Sequence, residues 1–162
     1  KILNFIKNNK GDIKYFFYTQ IGSDYLKNFY GPQVETKYVD MLVSFIKKIK
    51  NYDIDVIWFG PQPQPNIEMN YKLLRSIKAN NFNLFSLKHV NKVDEYMIKV
   101  SQENNIKFIS KLNIIKYDPK KDYYINNNIS YSDSDHWSLF GEKYFGNQIF
   151  KSKEFKDYFN DP

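Results

Sequence analysis

Two histidines occur in 162 residues, and one of them, His136, follows Asp133 by three positions in the run Tyr131-Ser132-Asp133-Ser134-Asp135-His136-Trp137-Ser138. A neutral imidazole accepts a proton near pH 7, and a carboxylate bonded to its other nitrogen fixes the tautomer and stabilises the imidazolium that results. Asp-x-x-His on a single turn supplies both parts from one short segment. The plainer alternative is a polar loop capping the helix that starts near Ser138. Ser138 can fill that cap by itself and Trp137 can anchor the turn, which leaves Asp133 and His136 for each other. General acid–base chemistry therefore heads the candidates, although no nucleophile in a matching sequence context accompanies it.

Other chemistries find less support. The chain has no cysteine, which excludes disulfides, thiol nucleophiles and thiolate metal sites. His89, in Leu87-Lys88-His89-Val90, has no carboxylate at useful spacing and reads as a surface or cap residue. Asp133, Asp135 and His136 lack the second histidine and the separation that zinc requires, so no metal is expected. Neither a Walker nor a dinucleotide glycine pattern occurs, and no cofactor is expected. The formal net charge of +6 raises an anionic partner. The lysines, however, scatter over the polar faces of predicted helices, and the densest group, Lys47-Lys48-Ile49-Lys50, closes a helix where cations complement the dipole. Nucleic acid is not an expected partner. Tyr123, Tyr124 and Tyr131 are candidates for carbohydrate contact, with core packing as the alternative.

The elements that must position His136 follow from periodicity. Ile2, Phe5 and Ile6 share one helical face over residues 2–9, stopped near Gly11. Ile13 to Tyr18 is an apolar and aromatic run of strand length. Val34, Tyr38, Met41, Leu42, Phe45, Ile46 and Ile49 recur at helical spacing up to Lys50. Ile54 to Phe59 is a second buried-type strand. It exits into Gly60-Pro61-Gln62-Pro63-Gln64-Pro65-Asn66, which proline forces into an extended loop. A helix over residues 67–79, a short strand over 83–87, a helix carrying Val93, Tyr96, Met97 and Val100, and a strand over 106–110 come next. After an Asn-rich stretch of irregular chain, a helix runs from about Ser138 to Phe150. Strand and helix alternate, which reads as a single α/β domain over residues 1–162 with a parallel sheet and helices on both faces. Three loops would converge outside the carboxyl ends of the strands: those after Tyr18 and Phe59, and the one before His136. Substrate is expected in the cleft between the His136 loop and the proline loop.

The segment Asp133-Ser134-Asp135-His136-Trp137-Ser138-Leu139-Phe140-Gly141-Glu142 resembles the last block of the SGNH hydrolase superfamily, in the version attached to acyltransferase-3 type membrane acyltransferases. Asp133, His136, Trp137, Ser138 and Gly141 fill the places of that block. Val56 to Pro63 is similar to the family's strand-then-Gly-Pro segment, and Phe108 to Asn113 to the strand before the last block. The resemblance implies a flavodoxin-like three-layer sandwich and a Ser-His-Asp acyl-transfer centre, with His136 as base and acid and Asp133 orienting it. It further implies an acyl donor, a glycan acceptor on the cell envelope, a membrane acyltransferase domain as partner, and a periplasmic or otherwise extracytoplasmic location. A carbohydrate esterase on the same triad, and a non-catalytic glycan-binding or scaffold domain, are the alternatives.

One departure stands out. The family's nucleophile sits in Gly-Asp-Ser, and that tripeptide does not occur: Gly11-Asp12 is followed by Ile13, and Gly22-Ser23-Asp24 has another order. The latter segment matches the place where the family carries an oxyanion-binding Asn. Gln20 or Ser23 could substitute there, against a simple strand-end cap for Gln20. The expectation is therefore a domain incomplete at its N-terminus, the serine lying upstream of Lys1. The strand at 15–18 would then be an apolar edge and should pair with a segment from outside the chain.

Overall fold

The computed structural model describes residues 1–28, 31–64, 89–133 and 135–160. The helix expected over 67–79 and the strand over 83–87 lie outside these residues.

Three strands, β1 (Tyr15–Tyr18), β2 (Asp55–Phe59) and β3 (Lys107–Ile109), form a parallel sheet in the order β1-β2-β3. The register pairs Phe17 with Ile57 and Trp58 with Phe108. Because successive side chains leave opposite faces of a strand, β2 feeds two cores. Val56 and Trp58 enter one, together with Ile6 of α1 (Ile2–Asn8), Val39, Val43 and Ile46 of α2 (Thr36–Lys50), and Val93 and Met97 of α3 (Val90–Glu103). Ile57 enters the other, with Ile109, Ile115, Phe145 and Ile149. That second layer consists of α4 (Lys111–Ile115), α5 (Pro119–Asp122), the hairpin β4 (Tyr124–Ile125) and β5 (Asn128–Ile129), α6 (Leu139–Lys151) and α7 (Lys153–Asn160). The fold is thus α/β in three layers, as the alternation of periods implies. Each fully buried side chain of this size contributes roughly 1.5–3 kcal/mol, against about 1 kcal/mol net for a ladder hydrogen bond. Packing on both faces, rather than the short ladders, therefore holds β2 in place.

Several boundaries differ from expectation, each for a local reason. Ser110 is not part of the third strand: its hydroxyl accepts the Asn113 N–H at 3.0 Å and caps α4. The Asn-rich stretch is a hairpin. Asn126 and Asn127 both take positive φ, 49° and 63°, as a tight two-residue turn requires. Helix α7 was not expected, yet Phe155, Tyr158 and Phe159 share a face and pack into the second core.

The two edges of the sheet are unlike. Among the described residues β1 pairs only with β2, and Phe17 is half exposed. On β3, Tyr158 of α7 closes the outward groups: its hydroxyl accepts the Phe108 N–H at 3.1 Å and donates to the Phe108 carbonyl at 2.9 Å.

Candidate active site

The His136 loop is built as a closed bracket. Ser138 donates its N–H to the Ser130 carbonyl (2.9 Å), Tyr131 and Trp137 form an antiparallel bridge, and Ser132 N–H reaches the His136 carbonyl (2.9 Å). Ser138 caps α6, its hydroxyl accepting the Gly141 N–H at 3.0 Å. Below the bracket, Tyr131 stacks on Tyr123 (6.2 Å between ring centres) and Trp137 lies on Phe145 (5.2 Å). Tyr123 and Tyr131 are each 1% exposed, so of the three tyrosines only Tyr124 reaches the surface.

Within that bracket the carboxylate and the imidazole meet. Asp133 Oδ2 lies 2.8 Å from His136 Nδ1. A carboxylate only accepts, so Nδ1 carries the proton and Nε2 of the neutral ring is the basic nitrogen. Asp133 Oδ1 accepts two backbone N–H groups, from Asp135 and His136, each at 2.7 Å. Burial pushes the Asp133 carboxyl up. The two backbone donors, the ring N–H and the charge of His136 outweigh that and hold it below the usual carboxylate range. The pair stands in solvent, with side-chain exposures of 66% for His136 and 50% for Asp133.

The proline loop touches this bracket directly. Gln62 Nε2 donates to the Asp135 carbonyl, and the Tyr131 hydroxyl donates to the Pro63 carbonyl. Gln64 Nε2 donates to Asp135 Oδ1 at 2.7 Å, while its Oε1 accepts the Ser23 N–H at 3.0 Å. The three loops do converge at one end of the sheet. Among the described residues the proline loop and the His136 loop are in direct contact. They are bonded along residues 62–64, and the imidazole sits at an exposed rim.

Over residues 1–151 the sequence matches the family described as the SGNH domain (fused to AT3 domains). The chain belongs to that family. No curated relative matches it. The SGNH domain is similar in fold to a solved structure, the periplasmic domain of a lipopolysaccharide acetyltransferase from Salmonella ser. Paratyphi A, with a TM-score of 0.63 at 20% identity. The likeness covers 91% of this chain and 58% of that one, so the chain spans just over half of that neighbour's length.

Of the two oxyanion candidates, the SGNH domain ties only Ser23 to the His136 loop, through Gln64. Gln20 is occupied elsewhere. Its Oε1 accepts the hydroxyls of Tyr18 (2.5 Å) and Tyr25 (2.7 Å), and its Nε2 donates to Asp24 Oδ2 at 3.1 Å. His89 is exposed at the N-cap position of α3, without a side-chain capping bond.

The bridging role of Gln62, Gln64 and Asp135 escaped the sequence reading, which weighed Asp135 only as a metal ligand. A signal existed: prolines at 61 and 63 hold the segment extended, and residues two apart then project to the same side. A buried polar pair at the strand ends was also missed. Asp94 Oδ2 accepts the Ser110 hydroxyl at 2.6 Å, whereas Oδ1 is buried with no hydrogen-bond partner and lies where a Cβ on Gly60 would come within 2.3 Å. Burial raises the Asp94 carboxyl to about 6, against the pull of Ser110 and Lys111. Lys111 bonds Thr19 Oγ1 at 2.8 Å, and burial lowers its ammonium to about 8 although Asp94 opposes the shift.

Proposed function

We propose that this SGNH domain is the Asp-His part of an O-acyltransferase that acetylates a cell-envelope polysaccharide, the attacking serine being supplied from outside these 162 residues. The observation that carries the reading is the 2.8 Å contact between His136 Nδ1 and an Asp133 carboxylate held by two backbone donors. Nε2 removes the serine hydroxyl proton as Oγ bonds to the acyl carbon, and the imidazolium returns that proton to the donor's leaving group. In the second half Nε2 takes the proton of a sugar hydroxyl, whose oxygen attacks the acyl-serine. The ester passes to the glycan and the proton goes back to serine. An ionised Asp133 stabilises the imidazolium in both halves, and general acid–base assistance of this kind is worth about 10²–10⁴ in rate. Ser23, beside the Gln64 bridge, is the oxyanion donor we favour over Gln20.

Membership in a family described as fused to AT3 domains supports a membrane acyltransferase domain as partner and an extracytoplasmic location. No described helix is long and apolar enough to cross a membrane. The exposure of His136 gives the esterase alternative its footing, since water reaches the ring as readily as a glycan does. In the full-length protein containing this chain, His136→Ala should abolish acetyl transfer to envelope polysaccharide and leave folding intact. Near-wild-type transfer by a folded His136→Ala protein ends the proposal, and acetate release without glycan acetylation favours the esterase.

A further inference from the structure

A fully buried glutamine beside an exposed catalytic candidate has no obvious packing purpose, because a leucine or methionine would fill the space without desolvating an amide. Gln64 is 0% exposed, and both ends of its amide are used. We infer that Gln64 is a positioning residue, whose amide joins the Ser23 backbone to the Asp135 carboxylate and so fixes where the His136 loop presents its ring.

The orientation of this amide is determined by its partners. The Ser23 N–H can only donate and so takes Oε1, and a carboxylate can only accept and so takes Nε2. From there the bonds run without interruption. Asp135 receives Nε2 at Oδ1 and gives its own N–H to Asp133 Oδ1, and Asp133 Oδ2 receives Nδ1 of His136. The loop after β1 is thereby coupled to the imidazole through three residues, Gln64, Asp135 and Asp133. Gln62 on the Asp135 carbonyl and Tyr131 on the Pro63 carbonyl brace the same contact from either side. The inference rests on the acyl-transfer reading for what the ring does, though not for where the ring is held.

Glutamate is nearly the same shape as glutamine and makes the test specific. In Gln64→Glu, one oxygen still accepts from Ser23 while the other meets Asp135. The bridge then forms only when one carboxyl of that pair is protonated, and two carboxylates sharing a site raise one pKa strongly. The charged and titratable neighbours are Asp135 itself, Asp133 and His136 beyond it in the loop, Tyr131 at Pro63, and Asp24 next to Ser23 in the turn. Raising the pH therefore breaks the bridge in Gln64→Glu and not in wild type.

The experiment uses the full-length protein, with p-nitrophenyl acetate as acyl donor for pH–rate profiles and NMR of the hydrogen-bonded His136 Nδ1 proton as a readout independent of turnover. Wild type should rise to a plateau on the alkaline side. Gln64→Glu should show an added alkaline limb, with the Nδ1 resonance fading over the same range. Gln64→Met should lose kcat on the order of 10²-fold at every pH, the scale of a misplaced catalytic group, and lose the resonance with it. A Gln64→Glu profile parallel to wild type, together with a persistent resonance in Gln64→Met, overturns the inference. Should His136→Ala turn over like wild type, the acyl-transfer reading falls alone and the resonance decides the bridge: its loss in Gln64→Met upholds it, and its persistence refutes it.

Discussion

Replacing Gly141 by alanine puts a methyl carbon 1.9 Å from the Ser130 carbonyl oxygen and 2.8 Å from its carbon. Both are backbone atoms of a fully buried residue, so no side chain can swing aside, and the helix must retreat by roughly 1 Å. That retreat stretches the Ser138-to-Ser130 hydrogen bond, worth about 1 kcal/mol, and the Ser138 cap on Gly141, worth about another. Overpacking adds about 1–3 kcal/mol. Alanine's better helix propensity returns about 1 kcal/mol, leaving a net loss of roughly 2–4 kcal/mol. For a chain of this length the melting temperature should drop by something on the order of 10 °C. Gly146 is the control, since it lies in the same helix with nothing within 4 Å of its notional Cβ. Only the propensity gain applies to Gly146→Ala, and its melting temperature should rise by a few degrees. Thermal and urea unfolding followed by circular dichroism read both variants. A Gly141→Ala protein as stable as Gly146→Ala would refute the close approach of α6 to the Ser130 backbone, and with it the bracket that holds His136.

Asp133→Asn retains an oxygen for the Asp135 and His136 N–H groups, so stability should change by less than about 1 kcal/mol. Its amide N–H faces Nδ1 and favours the wrong tautomer, so turnover should drop on the order of 10³–10⁴; a loss under tenfold would remove the ring as base. For Asp94, the unfolded chain releases between its ordinary 3.8 and about 6 a proton that the folded chain keeps. Stability therefore falls as pH rises through that window, by at most about 3 kcal/mol. Urea midpoints against pH should show that slope in wild type and not in Asp94→Asn, and equal slopes would count against a buried carboxyl there. Tyr158→Phe deprives the Phe108 N–H and carbonyl of their partner and should cost about 1–2 kcal/mol. Hydrogen exchange at the Phe108 amide should accelerate well before that of Ile109, and unchanged protection would show that the hydroxyl is dispensable.

What could be read from the chain divides along local and non-local lines. The period of α2 and the apolar runs around β2 are properties of contiguous residues, and the sequence placed both within two residues of the observed bounds. Ser110 misled because its β-branch-free polar side chain gives no strand signal, and only the Asn113 N–H three residues on reveals it as a cap. Asn126-Asn127 was legible in principle, since paired asparagines tolerate the positive φ that a tight hairpin demands. The Asp133–His136 contact was legible because it is three residues long. The Gln64 bridge was not, because it joins positions 41 and 71 residues apart, and nothing in either segment names its partner.

A hydroxyl standing in for a strand gives the sheet a direction of growth. Tyr158 occupies the hydrogen-bonding groups that Phe108 turns outward on the β3 flank, whereas among the described residues the outer flank of Tyr15 to Tyr18 has no strand partner. A further parallel strand docked on that flank would have its carboxyl end emerge beside Thr19 to Ser23. Recruitment to that side and delivery of a reactive group to the imidazole's rim would be a single geometric event.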